Sequence, residues 1–584
     1  MNRDAKSAVW PRRRVLAAIT TVGAGSAVFG RALTTLAAGK EKVTAGMIRD
    51  AEWVSGVTFS SADRKLMLEG VNDALKDYAK MRAVALDNAV PPALLFDPQP
   101  WARRDPGTPP KRDIELSKSS PDRPTWGDDV AFLPVRRLAP LVRTRKISSV
   151  ELTKLYLDRL RRLDPVLACV ITLTEDMALR QAQRADADLA AGKWRGPLHG
   201  IPWGAKDLLS VAGYPTTWGS VPYRDQMLDV TSTVASRLEE AGAVLVAKLS
   251  VGELAWGDVW FGGTTKNPWN TSEGSSGSSA GSAAATAAGL VGFAIGTETW
   301  GSIVSPCTRC GASGLRPTFG RVSRHGAMAL SWSMDKIGPI ARSVEDLAWI
   351  FAAIHGADGL DPVAVDRPFE WPARRDTKKL TVGFVPSLFD EDRAKDAPEE
   401  MKASAKEWAD FDRRTLDTLH QMGVQLVPIE LPSAYPVAAM AGILGAEASV
   451  AFDDLTRSGK DDTMVRQTAD AWPNVFRQGQ LIPAVEYLRA NRIRTLVMRE
   501  MDKALAGVDA YVVPSYGGDH LLLTNLTGHP CVVVPNGFRS KNGTPTSITF
   551  MGKLYGEADV LALALAYQDA TDYHTKRPPL VPAE

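Results

Sequence analysis

The sequence has little cysteine. Its 584 residues include only four, which is too few for a scaffold held together by disulfides. Cys307 and Cys310 form a C-x-x-C pair, but no second pair and no neighbouring histidine pair completes a zinc-binding set. We therefore expect no metal site and no cofactor, and a structural or unpaired state for these two thiols.

The net charge is small, and long apolar runs are few. The formal net charge is +2 at pH 7, and no block of Lys or Arg interrupts the body of the chain, so a nucleic-acid partner is not expected. The one mildly apolar stretch near the start, up to Gly30, is too short and too rich in glycine for a membrane span. We expect no stable span in the mature protein.

The N-terminus has the layout of an export signal. An arginine cluster, Arg12 to Arg14, precedes a short apolar body and a small-residue region around Ala37 and Ala38. Paired arginines followed by x-Val-Leu resemble a twin-arginine signal. We predict that residues 1–38 direct the protein to the periplasm or the medium. No cysteine lies near the cleavage region, which argues against lipid attachment there.

Two further units follow this leader. Residues 39–130 are predicted to form an N-terminal appendage. Within it, apolar residues recur at helical spacing after Ser60 or Ser61, either of which can cap a helix, and a proline-rich extended segment follows. Residues 131–584 alternate short β-branched runs with helical patterns, which predicts an α/β domain around a mixed or parallel sheet. The strongly charged stretch from 390 to 423 is interpreted as a solvated helical face.

Lys206 is the first candidate for chemistry. It ends a short apolar run, GIPWGAK, punctuated by glycine and proline. A buried lysine has a lowered pKa because burial disfavours the ammonium form, and its neutral amine can then act as a base. A lysine in such a window is more often a solvated surface group, so the run alone does not decide the role.

The second candidate is a serine-rich run, EGSSGSSAGSAAATAAG, from Glu273 to Gly289. Within it Ser279 fits G-x-S-x-G, the nucleophile elbow of α/β-hydrolases, a motif that requires a buried strand immediately before it. The preceding segment, NPWNTSEGSS, is polar and rich in turns, so no such strand is expected. A third candidate is Ser302, which follows a glycine at the end of an apolar run.

Together these segments resemble the amidase signature family. The similar segments, in family order, are GPLHGIPWGAKD, GELAWGDVWFGGTTKNPWN, GSSAGSAAATAAG with FAIGTETWGSI, CGASGLRPTFGRVS, SMDKIGPIARSVEDLA and TNLTGHPCVVVPNGF. The resemblance runs from about Leu133 to the C-terminus. It implies one large α/β domain, a central mixed β-sheet covered by helices on both faces, to which the N-terminal helical appendage is added.

The resemblance also implies roles for three residues. Lys206 would be the base, Ser278 a bridging serine next to a cis peptide bond, and Ser302 the nucleophile of an amide hydrolase. The oxyanion would be bound by the backbone N–H groups of Thr299, Trp300, Gly301 and Ser302. The packing of two hydroxyls beside a lysine explains the small residues, since tight turns there leave no room for large side chains.

Three positions depart from the family pattern G-T-D-T-G-G-S-I-R. Here Glu298 replaces Asp, Trp300 replaces the first Gly of the pair, and Val304 replaces Arg. Trp300 keeps its N–H, but a tryptophan would be strained if that position required a positive φ. We interpret the changes as a reshaped pocket, with impaired activity as one consequence to be tested.

The function predicted from the sequence is hydrolysis of a carboxylic amide to the acid and ammonia or an amine. The substrate is a small molecule whose class the sequence leaves open, and a homodimer is also left open. Two alternatives remain: an exported binding protein on a disabled amidase scaffold, and the A subunit of a tRNA-dependent amidotransferase, against which the leader argues. Five aromatic residues could line an acyl pocket or belong to the core: Trp203, Trp256, Trp260, Phe261 and Trp300.

Overall fold

A large mixed sheet forms the centre of the protein. The structure, a computed structural model, describes residues 42–94, 125–372, 376–390 and 399–579. The predicted leader lies outside these residues, as does most of the proline-rich segment. Eleven strands form the main sheet in the order β1-β3-β2-β8-β10-β9-β14-β15-β13-β11-β12, and two small hairpins, β4-β5 and β6-β7, lie apart from it.

The strands are, in chain order, β1 Val170–Leu173, β2 Pro202–Lys206, β3 Val244–Leu249, β4 Val259–Trp260, β5 Gly263–Thr264, β6 Lys266–Asn267, β7 Asn270–Gly274, β8 Phe293–Glu298, β9 Ser313–Arg316, β10 Lys336–Ala341, β11 Thr381–Phe384, β12 Gln425–Pro428, β13 Ala510–Pro514, β14 Cys531–Phe538 and β15 Pro545–Gly552. β2 runs parallel to β3 and β8, and β11 runs parallel to β12 and β13. The other pairs in the main sheet are antiparallel.

The helices are, in chain order, α1 Ala45–Ser55, α2 Ser61–Arg82, α3 Asp128–Ala131, α4 Val135–Arg143, α5 Ser149–Leu167, α6 Glu175–Ala190, α7 Thr233–Glu240, α8 Ala280–Ala287, α9 Val304–Cys310, α10 Val344–Ile354, α11 Pro386–Phe389, α12 Glu399–Gln421, α13 Gly442–Ala451, α14 Asp453–Ser458, α15 Trp472–Gly479, α16 Ala484–Ala504, α17 His520–Thr527 and α18 Glu557–Asp569. Short 3₁₀ helices lie at Val221–Tyr223, Glu253–Ala255, Thr377–Lys379, Ala438–Ala441, Lys460–Thr463 and Tyr573–Thr575. None of the helices in these described ranges is long and apolar enough to cross a membrane.

Helices cover both faces of the sheet, as the sequence predicts. Successive residues of β14 point to opposite faces: Val532 and Val534 belong to a core shared with α10 and α18, whereas Val533 belongs to a core shared with α16 and α17. Because both faces are packed, the central strands are buried along most of their length and are largely apolar. This explains why they appear in the sequence as short continuous β-branched runs.

The appendage contains the helix predicted after Ser60. Ser60 caps α2 by accepting the N–H of Asp63, whose carboxylate accepts the N–H of Ser60 in return. The buried side chains Met67 and Met81 anchor α2 to the main domain and to α1. The appendage is therefore packed onto the large domain.

The charged stretch contains α12, which has the predicted solvated face and, in its second half, a buried face as well. In α12 the side chains of Phe411, Thr415 and Leu419 are buried. They recur at every fourth residue, so they form one stripe that faces the sheet. Charged residues on the remaining faces of α12 masked this stripe in the sequence.

Candidate active site

Sheet order brings together segments that lie far apart in the chain. The parallel strands β2 and β8 are neighbours, with Ala205 opposite Ile295. The carboxyl ends of parallel strands meet at the same edge of a sheet, which is where open α/β sheets place their ligand crevices. Lys206 is the last residue of β2, and Glu298 is the last residue of β8.

Lys206 lies among hydroxyl groups. Its amine nitrogen is 2.8 Å from the Ser278 Oγ, 3.1 Å from the Ser279 Oγ and 2.7 Å from the Thr297 Oγ1. The side chain is completely buried. The carbonyl oxygen of Thr297 lies 3.4 Å from the same nitrogen, and within the described residues no carboxylate lies within ion-pair distance of it.

Burial lowers the pKa of Lys206 well below that of an ordinary lysine, and the more distant carboxylates of Asp335 and Glu298 oppose this effect only in part. The adjacent Asp207 gives no direct help, because it pairs at 2.6 Å with Lys248. The site therefore favours an uncharged amine at Lys206.

The serine-rich run forms a tight loop that leads into α8. The peptide bond between Gly277 and Ser278 is cis, as the family resemblance implies. A Cβ at Gly277 would lie 1.8 Å from the carbonyl oxygen of Gly257, so only glycine fits there. Gly296 faces the same loop, where a Cβ would come within 2.8 Å of the Ser279 Oγ. These close approaches explain the small residues of the run.

The expectation that no strand leads into the serines of this run needs a correction. β7 ends at Gly274, the second residue of the run, but β7 belongs to a partly exposed two-stranded hairpin outside the main sheet. The segment is polar because one face of the hairpin lies in water. The buried strand that a nucleophile elbow needs is thus not what precedes Ser279. The Ser279 hydroxyl instead donates to the carbonyl oxygen of Thr297 at 3.0 Å.

Ser302 lies in the loop between β8 and α9. Its carbonyl oxygen accepts the N–H of Ser279 at 3.1 Å, which fixes the Ser302 backbone beside the serine pair. Ser302 is 8% exposed and lines a cavity of about 480 Å³. The structure thus brings Lys206, Ser278 and the loop of Ser302 together, and the roles assigned to them stay predictions.

The four predicted oxyanion donors are consecutive in the same loop. The N–H groups of Thr299, Trp300, Gly301 and Ser302 donate to no other residue in the described part of the chain. All four residues line the cavity. Backbone donors without internal partners beside a cavity are what an oxyanion site requires.

The backbone turn falls on Gly301. Gly301 has φ +85°, whereas Trp300 is not among the residues with positive φ. The condition for strain at Trp300, a positive φ, is therefore not met, because the glycine that remains from the family pair adopts the left-handed conformation. The Trp300 side chain is 46% exposed and borders the cavity.

Glu298 anchors the loop that carries Ser302. Its carboxylate accepts the N–H groups of Ile303 at 2.9 Å and Val304 at 3.0 Å, and it pairs with Arg316 of β9 at 2.8 Å. Burial alone would raise the pKa of Glu298, but Arg316 and these hydrogen bonds outweigh it and lower the pKa to about 2. Position 304 lacks the arginine of the family pattern, and the guanidinium beside Glu298 comes from Arg316.

The aromatic residues divide between the cavity and the core. Trp256 and Trp300 line the cavity. Trp203 is buried and stacks on Phe293, while Trp260 packs edge-on against Phe261 4.9 Å away. Cys307 and Cys310 are buried and form no disulfide, and burial raises the pKa of both thiols.

Several residues of the site escaped the sequence reasoning. Thr297 contacts the Lys206 amine, and Arg316 anchors the loop. Ser279, which the sequence analysis considered only as an elbow serine, contacts the amine as well. The C-terminal part of the chain also contributes to the cavity, with Trp472, Tyr516 and Leu521 among the lining residues. Leu521 lies in α17, and Tyr516 lies just before this helix. In the sequence, a polar residue within an apolar strand, such as Arg316 in β9, is the one feature that could have indicated these positions.

A sequence model of the amidase family matches residues 151–522, more than half of the chain. The chain belongs to the amidase family. The A subunit of the glutamyl-tRNA(Gln) amidotransferase from Marinomonas sp. (strain MWYL1) is 34% identical over 482 residues, which cover 76% of this chain and 98% of that protein.

Solved structures agree with this placement. The native peptide amidase from Stenotrophomonas maltophilia has a TM-score of 0.66 and 29% identity, over 76% of this chain and 98% of that one. A bacterial aryl acylamidase of the amidase signature family shares the fold, with a TM-score of 0.67 and 22% identity, over 77% of this chain and 98% of that one. This member of the amidase family is an amide-hydrolysing enzyme.

Proposed function

We propose that this enzyme hydrolyses a carboxylic amide through an acyl-enzyme, with Ser302 as nucleophile, Ser278 as relay and Lys206 as base. The observation that carries the proposal is the completely buried Lys206 amine, which lies 2.8 Å from the Ser278 Oγ and has no carboxylate at ion-pair distance among the described residues. A neutral amine there can accept the Ser278 proton, and Ser278 can in turn accept the proton of Ser302.

The proton path balances over the reaction. Ser302 loses its proton to Ser278 as its oxygen bonds to the amide carbon, and Ser278 passes its own proton to Lys206. The negative charge on the carbonyl oxygen is stabilised by the free N–H groups of the 299–302 loop. The protons return along the same path to the leaving nitrogen, so that ammonia or an amine leaves rather than an amide anion. Water then releases the acid by the same relay.

The test is release of ammonia or amine by the purified protein across a panel of amides and esters. Ser302→Ala should abolish turnover, and a fluorophosphonate should label the wild type but not this variant. Undiminished turnover by Ser302→Ala would overturn the assignment. A protein that takes up no label and turns over no amide would instead support the alternative of an exported binding protein on a disabled scaffold.

The second candidate is an amidotransferase A subunit. It is favoured by the Marinomonas relative, which is a component of glutamyl-tRNA(Gln) amidotransferase. Such a subunit would work within a complex, so co-purification with partner subunits and glutamine-dependent amide transfer would support it. Turnover of simple amides by the isolated chain, together with export of the protein, would favour a free-standing amidase.

A further inference from the structure

A second cavity, which we call the chamber, lies under the appendage. It has a volume of about 260 Å³ and is enclosed between α2 on one side and α13, α15 and α16 on the other. Its walls are mainly apolar or small, and α2 contributes Val71, Ala74, Tyr78 and Met81 to them, with the charged Asp77 and Arg82 beside these four. These four residues follow helical spacing, so one face of α2 forms one wall of this cavity, which we call its roof.

This cavity adjoins the one that contains Ser302. Gly445 and Val475 line both cavities. A Cβ placed on Gly445 would meet no atom within 4 Å, and the same holds for Gly442, three residues earlier on α13. Two glycines on one helical face with open space before them leave a gap where side chains would otherwise separate the cavities.

The roof is fixed in place. Gly70 of α2 packs so closely on α15 that a Cβ there would come within 2.3 Å of the Gln478 side chain. Arg477 of α15 pairs with Asp63 of α2 at 2.8 Å. Met67, one turn before Gly70, is fully buried. These contacts hold α2 against α15, so the roof of the cavity is a fixed part of the folded structure.

The charged side chains that line the chamber are ion-paired, Asp77 with Lys80 at 2.8 Å and Arg82 with Glu486. Glu486 is ion-paired with Arg82 at 2.8 Å and with Arg489 at 3.4 Å. The Tyr487 hydroxyl donates to Glu447 at 2.8 Å. The Oε2 atom of Glu486 accepts no hydrogen bond from the described residues. Because the charges are paired and the rest of the wall is mainly apolar, the chamber suits a hydrocarbon tail better than a charged group.

We propose that the chamber under α2 receives an extended apolar tail of the substrate, which passes Val475 and Gly445 from the cavity of Ser302. The substrate class is then an amide with a long apolar substituent, and the appendage is part of the substrate site. This inference rests on the proposed function, because it takes Ser302 as the point where the amide bond is held.

The test compares Gly442→Leu, at a glycine that lines the chamber but not the cavity of Ser302, with wild type on p-nitroanilides of acetic and dodecanoic acid and on N-dodecylacetamide. The two long substrates distinguish a tail on the acyl side from one on the amine side. Gly442→Leu should lower kcat/KM for one long substrate at least 10-fold, chiefly through KM, and leave the p-nitroanilide of acetic acid unchanged. Gly507→Leu is the matched control, an exposed glycine with equally open space.

A second variant and a binding measurement complete the test. Ala74→Trp fills the chamber from the roof and should reproduce the selective loss. Dodecanamide should bind to Ser302→Ala protein and lose affinity when Gly442→Leu is added, a readout that needs no turnover. Equal losses of kcat/KM on short and long substrates would overturn the proposal that the chamber receives the tail. Kinetics on the long substrates and dodecanamide binding that neither variant changes would overturn it as well. Acetyl turnover that survives Ser302→Ala would overturn the proposed function instead.

Discussion

Arg316 and Glu298 form a fully buried ion pair directly behind the loop of Ser302, with Nη1 and Oε1 2.8 Å apart. Arg316 also donates to the carbonyl oxygen of His529 at 2.9 Å and to the Thr524 Oγ1 at 2.9 Å. Glu298 in turn accepts the N–H groups at the start of α9. The pair thus links β8, β9 and α17 to the loop that carries the predicted nucleophile.

Arg316→Met should destabilise the protein by about 3–5 kcal/mol, because it leaves the Glu298 carboxylate buried without its counterion. Urea unfolding followed by circular dichroism measures this loss. The double variant Arg316→Met with Glu298→Leu should recover much of the stability, since apolar replacement of a buried pair is often neutral. It should not recover activity, because the N–H groups of Ile303 and Val304 lose their acceptor. Recovery of both would show that the pair does not position the loop.

Low pH should weaken the contribution of Glu298 to the stability of the folded protein. Its pKa in the folded protein is about 2, below the ordinary value of 4.5, so its stabilisation is present above pH 4.5 and lost as the pH falls toward 2. The difference corresponds to about 3 kcal/mol. The melting-temperature gap between wild type and Glu298→Gln should therefore be largest near neutral pH and narrow below pH 4.5. A gap that stays constant down to pH 2.5 contradicts the assigned ionisation.

The pH profile of turnover should reflect Lys206. The active form has a neutral amine, so kcat/KM should rise with pH through the Lys206 pKa and then level off. Burial places that pKa well below the 10.5 of an ordinary lysine, so the rise should be complete before pH 10. Lys206→Met should remove the activity while the protein stays folded, since no described carboxylate loses an ion pair. Full activity in Lys206→Met would refute this base.

Gly301→Ala should lower kcat by about tenfold or more. Gly301 has φ +85°, and an added Cβ would approach the Leu521 side chain to 3.1 Å, so the donors of the loop would shift. The backbone cost to stability is about 1–2 kcal/mol. Gly543→Ala, at φ +68° in open space, carries the same backbone cost away from the site. If both variants keep wild-type kcat, the loop does not bind the oxyanion.

The leader provides a prediction about location. If residues 1–38 are a twin-arginine-like signal, then Arg12→Lys with Arg13→Lys should retain the full-length protein in the cytoplasm. Cell fractionation with an antibody measures this, and Arg14→Lys is the matched control that should still be exported. Unchanged fractionation of the double variant would refute the signal.

The sequence by itself determined the local features of this protein. Ser60 determined the start of α2, the β-branched runs determined strands such as β3 and β13, and the glycines and serines of the 273–289 run determined a loop that no larger residues could form. Each of these features depends on backbone preferences and short-range contacts within one segment, which neighbouring residues specify.

Only the tertiary structure decided the contacts between segments. It placed Thr297 beside Lys206 because β8 lies next to β2, and it supplied Arg316 to Glu298 because β9 lies two strands away across β10. It also showed that Gly301, not Trp300, carries the turn, and that α2 roofs a chamber beside the site. The physical reason is that sheet order and helix packing minimise the free energy of the whole chain, so no single segment encodes its partners.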